Sequence, residues 1–320
     1  MSLEKEPQFF GKEGPEKWAE EVPTETFGTE EERKQNFERF IGRLKQEREK
    51  EGVSEEEFEE RLSRTEQFLE NMVLIHSTSL RSVAEIFGSR KIFSLAELQK
   101  NRPVTDIVHT FSSDREAGLD QFIFMSSGAK ILFGDAVLVM GNEIINRPDC
   151  FATAEDIVEI PSRLQDCFPR GEQKNWSGLS RETTPDIWNE CLKEYRQQIL
   201  SGKDFKKFLA NFIASYHSHP EDSLRYPTSR DYTIASHDHL YDRSGLGQRV
   251  PLFFKKWYRP EIKVKNEIGV ENIKFVIVWS DEQAGLLEKQ GVPKEKIRII
   301  PEMFSEKNEV MRKIYSGEIK

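Results

Sequence analysis

The chain has 320 residues, a formal net charge of −9, 37% hydrophobic residues and 32% charged residues. That length holds one large domain or two modest ones around a real core, while the acidic balance excludes a strong general affinity for nucleic-acid backbone. No apolar run approaches the ~20 residues of a membrane span, and the N-terminus without an apolar leader, with three scattered cysteines (Cys150, Cys167, Cys191), predicts a cytoplasmic chain with reduced thiols.

The first segment is polar and helical. Thr29 is an N-cap signal followed by acids, and Phe37, Phe40, Ile41 and Leu44 recur at helical spacing until Gly52. Ser54, with Glu57 three residues on, starts a second helix whose stripe is Phe58, Leu62, Phe68, Leu69 and Met72. Residues 1–72 therefore read as a helical N-terminal extension, built to pack against the next domain.

From Met72 the texture is mixed. "MVLIHSTS" is a short apolar strand ending at His76, "LRSVAEIFGSR" a short helix, and "DQFIFMSSG" and "GDAVLVMGNEI" two more strands. Residues 161–204 are polar and read as loops, with a helix near "PDIWNECLKEYRQQIL". Strands return in "PEIKVKNEI" and "IKFVIVWS", then a helix in "SDEQAGLLEKQG" and a strand in "KIRIIPEMF". Strands bracketing a helical and polar middle predict one α+β domain over 73–304, with an insertion at about 161–250 and a tail at 305–320.

Four of the six histidines, His217, His219, His237 and His239, lie within that insertion. "HSHP" followed by "PTSRD" resembles the signature of JAMM-type zinc isopeptidases, which would make His217, His219 and Asp231 the metal ligands. Thr228 stands where that family has serine, and the loop is slightly long. The residues before it favour a plainer reading. Phe205, Phe208, Leu209, Phe212, Ile213 and Tyr216 recur every three or four positions, the period of an amphipathic helix rather than a strand. The histidines then sit at a helix end that Pro220 closes, and polar residues suit the exposed carbonyls there. The expectation is no metal.

The flanking strands carry a different signal. "MVLIHSTSLRSVAEIFGSRKIFS" resembles the first segment of the NAD-dependent ADP-ribosyltransferase superfamily, in its histidine–glutamate branch, where a strand-end histidine precedes a helix. "DQFIFMSSG" and "FGDAVLVMGNEI" resemble its next core strands. "RPEIKVKNEIGVENIKFVIV" resembles its closing segment, where a glutamate begins a strand. The resemblance covers about 73–160 and 251–304. It implies a split β core, NAD as co-substrate and transfer of ADP-ribose to an unidentified protein, nucleic-acid or small-molecule acceptor.

Residue by residue, it implies that Glu261 stabilises the sugar cation and that His76 bonds a ribose hydroxyl. Ser77 and Thr78 would lie near the nicotinamide amide, with Ser126 and Ser127 at the same end of the dinucleotide. Arg81 would face the pyrophosphate, and Phe122, Phe124 or Tyr258 would stack on nicotinamide. A carboxylate is the right group because cleavage of the nicotinamide–ribose bond builds positive charge on the sugar. Two departures stand out: Ser77 replaces the family's usual glycine, and Arg259, two before Glu261, disfavours the arginine-modifying branch. No G-x-G-x-x-G or G-x-x-x-x-G-K appears.

Each residue also has a bland reading. A histidine after an apolar strand is usually a satisfied structural residue, a glutamate opening an edge strand is usually solvated, and Phe122 and Phe124 alternate as core residues do. A third function class, a non-catalytic interaction module on a degenerate transferase fold, would use surface helices alone.

Overall fold

The computed structural model describes residues 23–50, 52–101, 112–127, 134–153, 178–220, 261–303 and 306–320. Its helices are α1 (Thr24–Phe27), α2 (Glu30–Lys50), α3 (Glu55–Glu70), α4 (Leu80–Ser89), α5 (Leu95–Asn101) and α6 (Ser112–Glu116). Then come α7 (Pro185–Arg196), α8 (Gly202–Tyr216), α9 (Asp281–Lys289) and α10 (Lys307–Tyr315). The strands are β1 (Val73–Thr78), β2 (Lys91–Phe93), β3 (Phe122–Ser126), β4 (Ala136–Gly141) and β5 (Cys150–Thr153). They continue with β6 (Ile199–Ser201), β7 (Glu261–Lys265), β8 (Glu267–Gly269), β9 (Ile273–Val278) and β10 (Ile297–Ile299). The fold is α+β, and no helix among the described residues is long and apolar enough to cross a membrane.

The two long N-terminal helices start where their capping residues stand. The Thr29 hydroxyl accepts the Glu32 N–H at 3.2 Å while the Thr29 N–H donates to the Glu32 carboxylate at 2.7 Å, a reciprocal box that satisfies two otherwise orphan donors. The Ser54 hydroxyl accepts the Glu57 N–H at 3.2 Å. Phe40, Leu44, Leu69 and Met72 are buried from this hairpin, and both helices pack on α8. The amphipathic run before His217 is helical, as its period requires, and presents Phe205, Phe208 and Ile213 to the core.

Eight strands form one sheet in the order β10-β9-β4-β1-β3-β7-β5-β6, antiparallel except for the parallel β10–β9 pair. The pairing is uneven at its centre. β1 pairs with β4 along six residues, from Val73↔Gly141 to Thr78↔Ala136, but with β3, among the described residues, only at Ile75↔Ser126. Among the described residues the two halves of the sheet are thus joined at one bridge, and beyond Ile75 the ladder between β1 and β3 stops, leaving a seam.

On the β3–β7–β5–β6 half the two faces bury different sets. Ile123, Met125, Ile262, Val264, Cys150 and Ala152 join the core formed with α2, α3 and α8. Phe122 and Phe151 face a second cluster with Phe27 of α1 and Trp188, Leu192 and Tyr195 of α7. Alternation along each strand enforces this split.

Three features depart from the expectations above. β7 is interior, flanked by β3 and β5, so its glutamate does not open an edge strand. The helix expected through Leu200 ends at Arg196, and Ile199–Ser201 form a strand, β6, instead. Residues 305–320, expected as a tail, contain α10, whose Val310, Met311, Ile314 and Tyr315 are buried in the main core.

Candidate functional site

The bridge Ile75↔Ser126 continues through Ser126↔Glu261 and Glu261↔Thr153, a row of four aligned residues crossing β1, β3, β7 and β5. Paired residues on neighbouring strands share a face, so Ser126, Glu261 and Thr153 project together. Two strand spacings, about 10 Å, separate β1 from β7 at this level. His76 follows Ile75, leaves the row by alternation, and lies at the start of the seam.

There the imidazole Nδ1 is 2.8 Å from the carbonyl oxygen of Phe124. A carbonyl only accepts, so Nδ1 carries the proton and Nε2 of the neutral ring is an acceptor. Burial pulls the His76 pKa below the ordinary histidine range, an effect the hydrogen bond to Phe124 partly offsets. The site therefore holds a neutral imidazole with one nitrogen committed to the backbone.

Glu261 is 4% exposed. Its Oε2 lies 2.9 Å from Nζ of Lys263, which also donates to Oγ1 of Thr153 at 3.0 Å. Lys263 is 0% exposed, and its ammonium sits 5.2 Å from the ring centroid of Phe124 and 5.4 Å from that of Tyr195. Burial works against this ammonium, but the Glu261 carboxylate and the Tyr195 phenol outweigh it and hold the lysine above its usual range. A buried carboxylate thus stands paired with a buried ammonium.

The other predicted residues fall into three groups. Ser126 and Ser127 are buried at the end of β3, next to Glu261, and the Tyr315 hydroxyl of α10 donates to the Ser127 carbonyl at 2.5 Å. Ser77 and Thr78 are half-buried along the seam side of β1. Phe124 is half-buried with its ring over Lys263. Phe122, by contrast, is stacked on Phe27 at 4.5 Å and set edge-on to Phe151, a core position. Arg81 lies on the exposed side of α4, paired with Glu85 at 3.2 Å. Tyr258 lies outside the described residues.

In the histidine cluster, His217 caps the C-terminus of α8, its N–H donating to the Ile213 carbonyl at 2.8 Å, and His219 is exposed. Among the described residues no group of three or more His, Cys, Asp or Glu side chains is placed to hold a metal ion. Asp231, His237 and His239 lie outside the described residues.

No family model matches the chain, and no characterised protein matches it in sequence. Among solved structures, DarT of Thermus sp. 2.9 in complex with carba-NAD+ is similar over 73% of this chain and 98% of its own, at 8% identity and a TM-score of 0.36. The same protein in complex with ADP-ribosylated ssDNA gives 8% identity and a TM-score of 0.36, over 73% of this chain and 97% of its own.

Three site residues escaped the sequence reading: Lys263, Thr153 and Tyr195. Lys263 left a trace, since Glu261 and Lys263 are spaced by the strand period and so share a face. Thr153 and Tyr195 left none, because nothing local ties "CFAT" or a helix residue to a strand more than sixty positions away.

Proposed function

We propose that the chain cleaves NAD and transfers its ADP-ribose to an acceptor, with Glu261 as the catalytic carboxylate and His76 as a ribose-binding residue. In that step the bond between ribose C1′ and the nicotinamide nitrogen breaks, and its electron pair leaves with neutral nicotinamide. A lone pair of the acceptor bonds to C1′, and the acceptor's proton passes to Glu261 or solvent. Water as acceptor would give free ADP-ribose.

The observation that supports this reading is the aligned row Ile75, Ser126 and Glu261, which sets Glu261 two strands away from the strand that carries His76. An ionised carboxylate beneath the sugar opposes the charge that develops there, and its surroundings need little reorganisation during the reaction. The neutral His76 Nε2 accepts from a ribose hydroxyl. Ser77 and Thr78 on one lip and Ser126 and Ser127 on the other offer polar groups to the nicotinamide amide, and Phe124 or Tyr258 supplies an aromatic face. Arg81 is free to swing to a pyrophosphate, since its exposed pair with Glu85 costs little to break. Within this reading 73–304 is the transferase unit with its insertion at about 161–250, and 1–72 is the extension that buttresses it.

The test is nicotinamide release from NAD by the purified chain and by Glu261→Gln. A loss of about 10²–10³ in kcat with NAD binding retained is expected. Equal turnover by the variant would discard Glu261 as the catalytic group.

A further inference from the structure

Lys263 stands where stability alone would favour a hydrophobic residue. Lysine is almost never fully buried unless paired, and exchanging a buried ion pair for apolar side chains is often neutral or stabilising. Yet β7 keeps Glu261 and Lys263 paired on its α7-facing side while Ile262 and Val264 fill the other. The ammonium is fixed from several directions: by Thr153 of β5, by the Phe124 ring of β3, by the Tyr195 ring of α7 and by Glu261 itself.

We propose that Lys263 is a positioning residue that fixes the Glu261 carboxylate in place and in its ionised form. This rests on the reading of Glu261 given above. A carboxylate as buried as Glu261 would, without a cationic neighbour, be driven toward its neutral acid, which cannot oppose a developing cation. The ion pair takes Oε2, so it also sets the plane of the carboxyl group. The same Phe124 whose ring covers the ammonium gives its carbonyl to His76, so β3 aligns the groups on both sides of the seam. Lys263 itself transfers no atom and no electron pair.

The experiment is a double-mutant cycle on nicotinamide release, using NAD and the full chain: wild type, K263M, E261Q and E261Q/K263M, with kcat and KM determined separately. A misplaced catalytic group costs on the order of 10²-fold, so K263M should lower kcat by about that factor with KM for NAD little changed. In the E261Q background the same substitution should cost nothing further, because the group through which Lys263 acts is already gone. K263R, which keeps the charge, should recover part of the rate.

Unchanged kcat in K263M overturns the proposal, as does an equal loss in both backgrounds, which would mean that Lys263 acts independently of Glu261. If K263M alone fails to fold, E261Q and E261Q/K263M remain comparable, since the double variant strands no charge. Equal residual rates then support the role, and a lower rate in the double variant overturns it. A wild-type chain that releases no nicotinamide removes the reading of Glu261, and this role with it. An active wild type with an indifferent K263M removes this role alone.

Discussion

His76 and Phe124 are joined across the seam of the sheet: Nδ1 of the imidazole lies 2.8 Å from the Phe124 carbonyl, where a continuous ladder between β1 and β3 would have placed a backbone donor. The side chain takes an acceptor that the missing ladder leaves open, and in return the ring is held in one tautomer. Because burial lowers the folded-state pKa below the ordinary value, the unfolded chain takes up its proton first on acidification. The stabilisation is complete above about pH 6.5. It is lost as pH falls from there through the folded-state pKa. Urea midpoints measured across that range should fall more steeply for wild type than for His76→Asn. Parallel slopes would refute a neutral, half-buried imidazole.

Gly134 secures the far end of β1. Its φ is +88°, and a Cβ there would fall on the Thr78 carbonyl oxygen, the same atom that accepts the Asp135 N–H at 3.1 Å. Gly134→Ala is expected to cost more than about 1 kcal/mol, from both backbone strain and the clash. Gly42, inside α2, is the internal contrast, because a Cβ built there meets nothing within 4 Å. Gly42→Ala should stabilise by up to about 1 kcal/mol, as alanine is the better helix former. Denaturant unfolding of the pair gives opposite signs, and matching signs would contradict the described loop geometry.

The helical extension is tied to the sheet by Phe27. It is fully buried, stacked on Phe122 and tilted against Phe151, with the neighbouring Thr26 hydroxyl donating to the Ala117 carbonyl at 2.7 Å. Phe27→Ala should therefore cost about 3–5 kcal/mol, the range for emptying an aromatic core site. A change under about 1 kcal/mol, by chemical denaturation, would show that α1 is a loosely attached appendage.

Much of this architecture was legible where period and caps agree. Thr29 and Ser54 announce their helices, and the stripe from Phe205 to Tyr216 is helical because its spacing allows nothing else. β7 was legible as a strand but not as an interior one. In "EIKVK" charges alternate with apolar residues, the pattern of a strand with one wet face, yet all five residues are buried. Alternation reports two kinds of face, and only tertiary structure decides whether the polar one meets water or a buried counter-charge. β5 and β6 are four and three residues long, too short for any period to emerge. For the candidate site, Glu261 could be picked out from its place at the head of a strand and His76 from its place after an apolar run, although β1 continues past His76 to Thr78. The bridge through Ser126 that links their strands, and the lysine that accompanies Glu261, are products of register.

α10 tests how far the site depends on distant support. Tyr315 packs its ring on Phe68 at 5.2 Å and donates its hydroxyl to the Ser127 carbonyl at the end of β3. Tyr315→Phe keeps the ring but leaves that carbonyl without this donor, a loss of about 1–3 kcal/mol for a buried acceptor. Burial also raises the phenol pKa, so the folded state resists ionisation. The stabilisation is complete below about pH 10, the unfolded value, and is lost as pH rises toward the folded one. Wild type should consequently lose stability on alkalinisation more steeply than Tyr315→Phe, measured by denaturant midpoints on either side of that pH. The hydroxyl anchors the residue next to Ser126, so loosening it should raise KM for NAD more than it lowers kcat if Ser127 contacts the dinucleotide. A variant with wild-type midpoints at both pH values would mean that the hydroxyl is not committed to Ser127, and that α10 supports the core by packing alone.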